Sequence, residues 1–381
     1  MAHLSKSTQY DIEDSNIALL GSDLEKRVRE NAGDIEPAWE QAGCTPGLQI
    51  WRIEQFRVVE WPKDRHGTFY SGDSYIVLYT YKSSPDASSF SFDLHFWLGR
   101  KTTQDEAGTA AYKTVELDDH LHGIPLQYRE IQNNESSRFL SHFSQFICLD
   151  GGVSAGFHHV TQPPELDFQK LYCINLARAS TTGKSNLVVR EVPAEAFSLI
   201  QGDVYVLDKG SRILQLNTRN SAGQERFKAA EFVRNLADNR KHRCEVVVYD
   251  EGGPQASLFL RELNAESVIP SQVQDGGQTI LMRLSDATGP GAISFTPVAN
   301  LGQSSLLSED AFLLDSSQDP TQPAIYVWLG KRAFLNERRL SIQYAQSYLH
   351  QQRSTRVTVP IIKLEEGHET EEFIQSLSSQ T

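Results

Sequence analysis

Apolar and polar positions alternate along short stretches of this chain, and the alternation recurs. Gly67–Tyr81 reads GTFYSGDSYIVLYTY, Phe197–Gly210 reads FSLIQGDVYVLDKG and Ser304–Ser317 reads SSLLSEDAFLLDSS. In each, an apolar pair leads through a small or polar linker to an acid, and a period-two strand follows. A second strand comes next: LHFWLGR (Leu94–Arg100), ILQLNTR (Ile213–Arg219) and IYVWLGK (Ile325–Lys331). Behind it lies a stretch with 3.6-residue apolar spacing, the mark of a helix covering a sheet. These stretches are QDEAGTAAYKTVELDDHL, GQERFKAAEFVRNLAD and LNERRLSIQYAQSYL. Further strands flank each unit, and a short segment carrying Phe139, Phe259 or Phe373 follows at similar distance.

The pattern therefore predicts an α+β fold of three repeated domains, each a mixed sheet with one long and one short helix. The boundaries fall at 46–150, 165–263 and 279–381, joined by polar linkers at 151–164 and 264–278. A unit of about 100 residues is an ordinary domain size. Residues 1–45 stand outside the repeats as an extension. There, Ser22 and Glu25 form a capping box ahead of LEKRVRENAG, and Gly33 is placed to stop a short surface helix.

Composition narrows the function. The chain has 381 residues, 36 Lys+Arg against 49 Asp+Glu, and a net charge of -13. Nucleic acid is not an expected partner, because phosphate binding needs a basic face. No apolar run approaches the length of about 18 residues that suggests a membrane span. The N-terminus lacks the apolar core of a secretory signal. Cys44, Cys148, Cys173 and Cys244 are widely separated and form no CxxC pair, which fits reduced thiols in a cytosolic protein.

The recurring acids are the chemical centre. Asp73, Asp203 and Asp310 precede a strand, while Glu106, Glu225 and Glu337 sit early in the following helix. Such a pair can converge on a hard cation, with loop carbonyls completing the six to eight oxygens calcium takes. Nothing matches an EF-hand loop, so a site would be assembled from distant segments. Thr182–Ser185 (TGKS) and Ala222–Phe227 (AGQERF) echo nucleotide hydrolases. Position 178 is Arg178 where a phosphate loop needs glycine, so both are coincidence. His120, His122, His158 and His159 read as exposed polar residues, and no catalytic signature occurs. The helix around Glu106–Leu121 must cover its own sheet. Its small and apolar remainder either enters a partner's groove or is simply buried.

GLQIWRIEQF, FYSGDSYIVL, LHFWLG, TTQDEAGTAAYKTVELDDHL, GIPLQYREIQ and GGVSAGFHHV follow one another in an order that resembles the first domain of the gelsolin superfamily. The extension DSNIALLGSDLEKRVRENAGDIEPAW resembles that of its three-domain severin and fragmin members. The resemblance implies a non-enzymatic, calcium-activated protein that severs actin filaments and caps their barbed ends. The alternative is a capper or monomer binder that does not sever. It implies calcium ligands at the Gly72 carbonyl, Asp73, Glu106 and the Val153 carbonyl; at Gly202, Asp203 and Glu225; and at the Glu309 carbonyl, Asp310 and Glu337. A further calcium, shared with actin, would use Asp118 with the carbonyls of Gly123 and Pro125. Actin would meet Tyr112 and Val115 on the first helix and Phe157 in the linker. Arg226, Lys228, Arg234, Arg240 and Lys241 would face the filament. HFSQFICLDGGV and LYCINLARAS lack the basic clusters that bind phosphoinositides in relatives, so that regulation is not expected. Val204 and Leu216 replace the family's second-domain cysteine pair. The implied setting is the cytoplasm and its cytoskeleton, with actin monomer and filament as partners and the free protein a monomer.

Overall fold

The structure is a computed structural model of the chain. It describes residues 36–152, 169–178, 185–240, 244–270, 278–285, 294–319, 323–333, 341–342, 344–345, 348–349 and 359–378. The helix expected at Ser22–Gly33, together with Val153, Phe157, Lys241 and Glu337, lies outside the described residues.

The first repeat supplies strands β1 (Gly47–Glu54), β2 (Arg57–Glu60), β3 (Thr68–Tyr70), β4 (Ser74–Tyr81), β5 (Ser91–Leu98), β6 (Leu126–Ile131) and β7 (Gln145–Leu149). The second supplies β8 (Lys170–Arg178), β9 (Ser185–Val192), β10 (Val204–Asp208), β11 (Arg212–Asn217) and β12 (Glu245–Asp250). The third supplies β13 (Ile280–Ser285), β14 (Ser294–Pro297), β15 (Ala311–Ser316), β16 (Ala324–Leu329) and β17 (Ile361–Glu365). The described helices are α1 (Gln104–His120), α2 (Ser137–Ser141), α3 (Gly223–Asp238), α4 (Ala256–Glu262) and α5 (Glu371–Ser378). Ser341, Ile342, Tyr344, Ala345, Tyr348 and Leu349 are also helical, at the place of the third repeat's long helix. None of the described helices is long and apolar enough to cross a membrane.

Each repeat builds one strand order. It runs β2-β1-β4-β5-β6 in the first, β9-β8-β10-β11-β12 in the second and β14-β13-β15-β16-β17 in the third. The final pair is parallel in all three, and the other neighbours within these sets are antiparallel. A parallel return needs a crossover, and the long helix between those two strands provides it. The two faces of the first sheet follow from its period of two. Ile76, Leu78 and Leu94 pack under α1 with Ala110 and Leu117. Tyr75, Val77 and Trp97 pack on the other face with Phe139, Phe143 and Phe146.

The repeats do not keep separate sheets. β17 joins β6 edge to edge, antiparallel, which fuses the first and third repeats into ten strands. That seam is short: only Ile361↔Arg129 and Ile362↔Tyr128 are in register, against six pairs along β5 and β6. Tyr128 crosses it, buried in the apolar cluster of the third repeat beside Phe312, Tyr326 and Ile362. β7 meanwhile leaves its own repeat's sheet and lies parallel to β9, extending the second repeat to seven strands through β3. An ion pair between Arg190 and Glu135, 2.9 Å, ties the same two repeats.

Candidate metal sites and binding surface

Each repeated aspartate occupies one register position. Asp73, Asp203 and Asp310 stand two residues before Tyr75, Tyr205 and Phe312, which pair with Arg52, Cys173 and Arg283 on the preceding strand. Side chains two apart share a strand face, so the residue across from the aromatic position reaches back to the acid. Arg52 Nη1 lies 3.4 Å from Asp73 Oδ2, and Tyr75 donates its hydroxyl to the same oxygen at 3.1 Å. Arg283 Nη2 lies 2.6 Å from Asp310 Oδ1. In the second repeat the partner is the Cys173 thiol, 3.3 Å from Asp203 Oδ2. Burial and the adjacent Asp203 push that thiol upward, so it stays protonated and donates.

The acidic turn is held by the strand that follows. Gly99 N–H donates to the Asp73 carbonyl and Gly330 N–H to the Asp310 carbonyl, both at 3.0 Å. A Cβ on Gly99 would stand 2.3 Å from the Ser71 carbonyl oxygen, and one on Gly330 2.2 Å from that of Ser308. The WLG motif therefore needs glycine for close backbone approach. In the second repeat Thr218 takes this place and donates its hydroxyl to the Asp203 carbonyl at 2.5 Å.

The structure brings Asp203 and Glu225 together. Burial raises the Asp203 pKa first, and the negative charge of Glu225 adds to it against hydrogen bonds from Cys173 and Asn175. Glu225 also accepts from Leu176 N–H at 3.2 Å and reaches back to Ala222 N–H at 2.8 Å, which fixes the carboxylate at the start of α3. In the first repeat Asp73 is buried, and Gly152 comes so near that a Cβ there would lie 2.5 Å from Asp73 Oδ1. The Gly72 amide is tied to the Gly151 carbonyl at 2.6 Å, which draws the 151–152 backbone onto the acidic turn. Glu106 sits in the first turn of α1, partly exposed, one residue after Asp105. In the third repeat Asp310 is buried, while Glu309 is exposed and pairs with Arg332.

Asp118, near the end of α1, is 8% exposed, and its Oδ1 has no hydrogen-bond partner. Its pKa rises to about 6, mainly through burial. Lys363 of β17 opposes the shift, Asp119 and Glu365 reinforce it, and Gln127 hydrogen-bonds the carboxylate. Lys363 and Glu365 thus bring charges of the third repeat within reach of this carboxylate. An orphaned buried carboxylate oxygen fits a cation ligand. Gly123 and Pro125 follow in the next turn, where Gly123 N–H donates to the Asp118 carbonyl at 2.8 Å.

Farther up α1, Tyr112 is 46% exposed and Val115 half-buried. Lys113 between them bridges Glu36 and the buried Glu116, which also accepts from Trp39 Nε1. On α3, Arg234 is exposed beside Asp238, and Lys228 pairs with Glu231 at 2.7 Å. Arg226 is half-buried and donates to Ser221 Oγ at 3.0 Å. Arg240 corrects the expectation of an outward basic face. It turns in to bind the buried Asp208 carboxylate and the Gly210 carbonyl, so its charge closes a hairpin. Sequence reading also missed Phe227, 63% exposed on α3 next to these cations. It missed Arg52, Cys173, Arg283 and Lys363 as well, whose roles depend on register rather than local pattern.

The repeat family described as Gelsolin repeat matches residues 57–140, 185–259 and 295–374. Gelsolin-like protein 2 of Lumbricus terrestris is 35% identical over 382 aligned positions, with 100% of each chain covered. Gelsolin-like protein 1 of the same organism is 38% identical over 335 residues, with 87% of each covered. Severin of Echinococcus granulosus is 33% identical over 360 residues, with 92% of each covered.

Proposed function

We propose that this chain, which belongs to the gelsolin family, is a calcium-activated actin-binding protein that severs filaments and caps their barbed ends. It acts by exchanging interfaces, so no bond is cut and no catalytic residue is required. The reading rests most on one observation: Asp118, buried with an orphaned oxygen, stands within charge range of Lys363 and Glu365 of the third repeat, on the helix that carries the exposed Tyr112. A helix meant for a partner's cleft thus ends beside charges of the protein's own third repeat.

The seam between the first and third repeats is fit for opening. Two residue pairs in register hold β17 to β6, and a coupled ligand needs only to favour the parted state to shift the population. Bound calcium would supply the positive charge that buried carboxylates lack. The residues proposed to hold it are Asp73 with Glu106, Asp203 with Glu225, Asp310 with Glu337, and Asp118. Once the third repeat leaves, Asp118 loses Lys363 and Glu365 as neighbours, while Tyr112 is exposed on α1 in either arrangement. The second repeat, through the exposed stretch of α3 with Phe227, Lys228 and Arg234, would hold the filament side while the first enters the cleft. The cytoplasmic cytoskeleton is the corresponding setting.

Fluorescence microscopy of labelled filaments, with and without calcium, tests this. Expected is breakage in calcium and none in chelator, with broken ends that no longer grow. Ends that stop growing while filaments stay whole would leave only capping. Breakage that ignores calcium would remove the activation.

A further inference from the structure

On the face of the first sheet away from α1, Asp93 and His95 project from β5 at alternate positions and meet His142, which closes α2. Asp93 and His95 are 0% exposed, and the His142 side chain is 3% exposed. The two imidazoles face each other through Nε2, 3.1 Å apart, and His142 Nε2 lies 3.6 Å from Asp93 Oδ2. Tetrahedral zinc with nitrogen and oxygen ligands spaces its donor atoms by about 3.3 Å. Both of these spacings are within about 0.3 Å of that value, and the ligand atoms of all three residues lie within 4.8 Å of one another.

The surroundings match a metal centre in two further respects. His95 Nδ1 is 2.9 Å from Glu130 Oε1, which sets the tautomer that leaves Nε2 with a free lone pair. Glu130 is itself held by Ser136 through its N–H at 2.7 Å and its hydroxyl at 2.6 Å. A carboxylate behind a ligating imidazole is the usual outer arrangement of zinc sites. The rings cannot swing away: Tyr128 stacks on His95 with centroids 4.4 Å apart, and Tyr79 lies over His142 at 4.5 Å. Ser136 begins α2 and His142 ends it, so this one short helix orients the outer carboxylate and delivers the third ligand.

We propose that Asp93, His95 and His142 form a binding site for a divalent transition ion of the zinc class, separate from the calcium carboxylates. Two nitrogens and one carboxylate suit zinc and disfavour calcium, which takes oxygen. Asp93 Oδ2 also holds Arg138 Nε at 2.7 Å. That oxygen would serve both cations, and Arg138 becomes an outer-sphere partner. Tyr81, Tyr128 and Arg138, which surround the cluster, also line a cavity between the first and third repeats together with Tyr326 and Ile362. Without metal, His142 can donate Nε2–H to His95 Nε2. Binding then requires only that His142 move that proton to Nδ1, and none is released.

The test uses the full chain stripped with chelator and kept in millimolar calcium. Zinc is titrated in competition with a chromophoric chelator, and the zinc-edge X-ray absorption of the one-to-one complex is recorded. The expected result is one zinc per chain with two imidazoles and oxygen neighbours. His142→Gln should weaken it by at least about tenfold, since even loss of an outer partner costs 10–100-fold. Binding that is absent, displaced by calcium, or equal in the variant overturns the site, the last case assigning zinc to surface histidines. If His142→Gln loses its native circular dichroism, the absorption spectrum of the unaltered chain decides. Fewer than two imidazoles there refutes the proposal.

Discussion

Replacing Asp118 with Asn should tighten the seam between the first and third repeats. The Asp118 pKa stands at about 6 in the closed arrangement, against 3.8 for the free side chain. At about 1.4 kcal/mol per unit, holding this charge in the closed arrangement costs about 3 kcal/mol near neutral pH. This is an upper limit, since part of the burial comes from the first repeat itself. The attraction of Lys363 is already contained in the shift. A raised carboxylate pKa opposes the closed state once pH exceeds the free value, and the full penalty is present above the raised one. The neutral amide of the Asp118→Asn variant carries no such penalty, so opening should become rarer by up to about 100-fold at pH 7.

Amide hydrogen exchange reads this directly, because protection at the seam reports the opening equilibrium when reclosing is fast. The informative amides are Tyr128, Arg129, Ile361 and Ile362, measured in chelator so that no metal intervenes. Comparing Asp118→Asn with the unaltered chain at one pH cancels the intrinsic exchange chemistry and the titration of neighbouring Asp119 and Glu365. The variant should exchange more slowly at pH 7, and the gap should shrink to about tenfold by pH 5 as Asp118 protonates in place. Equal or faster exchange in the variant would refute the claim that charge burial at Asp118 strains the seam.

Glu106→Gln and Glu225→Gln should each weaken calcium binding in calorimetry by removing one hard anionic oxygen; an unchanged titration in either would detach that glutamate from the metal. Arg52→Ala leaves Asp73 buried without its cation and should lower stability by about 1–3 kcal/mol in chelator. Calcium should recover part of that, so the Tm gain on adding calcium ought to exceed that of the unaltered chain; an equal gain counts against Asp73 as a ligand. Tyr112→Asp should reduce actin-monomer affinity in a fluorescence assay while urea stability stays within about 0.5 kcal/mol, because the side chain is 46% exposed and outside the apolar clusters. Intact binding would move the interface to another face. Gly99→Ala should cost about 1–3 kcal/mol in urea unfolding, since its Cβ meets backbone. Gly108→Ala, with open space around it, should stabilise α1 by about 1 kcal/mol.

Much of the architecture was legible in the period-two strands and in α1 and α3, because a half-buried strand and a sheet-covering helix impose spacing that any reader can count. The acids were legible for the same reason, as they punctuate that spacing. The seam of β17 and β6 was not. Both strands read as ordinary members of their own repeats, and pairing between exposed edges depends on three-dimensional placement. β7 was hidden likewise: QFICL reads as the last strand of the first repeat and hydrogen-bonds into the second. Arg240 misled because its side chain was judged by its place at the end of a basic helix, while Asp208 waits 32 residues earlier to claim it. Asp93, His95 and His142 carry no local metal-ligand spacing, since the third ligand arrives 47 residues after His95.

The repeats share a register yet differ in what neutralises the acid. Arg52 and Arg283 place a permanent cation beside Asp73 and Asp310, so a metal at those sites meets a carboxylate already partly compensated. Cys173 offers Asp203 only a neutral thiol, and Glu225 adds repulsion. Asp203 is instead compensated by hydrogen bonds from Cys173 and Asn175 and by the charge of Arg190. Asp118 differs again, because burial strains its charge while Lys363 of the third repeat compensates part of that strain. A single sequence pattern thus yields sites whose electrostatics are set one residue at a time by the neighbouring strand. Metal occupancy need not be uniform across the repeats, and the seam at Asp118 is the place where charge and domain separation act on each other directly.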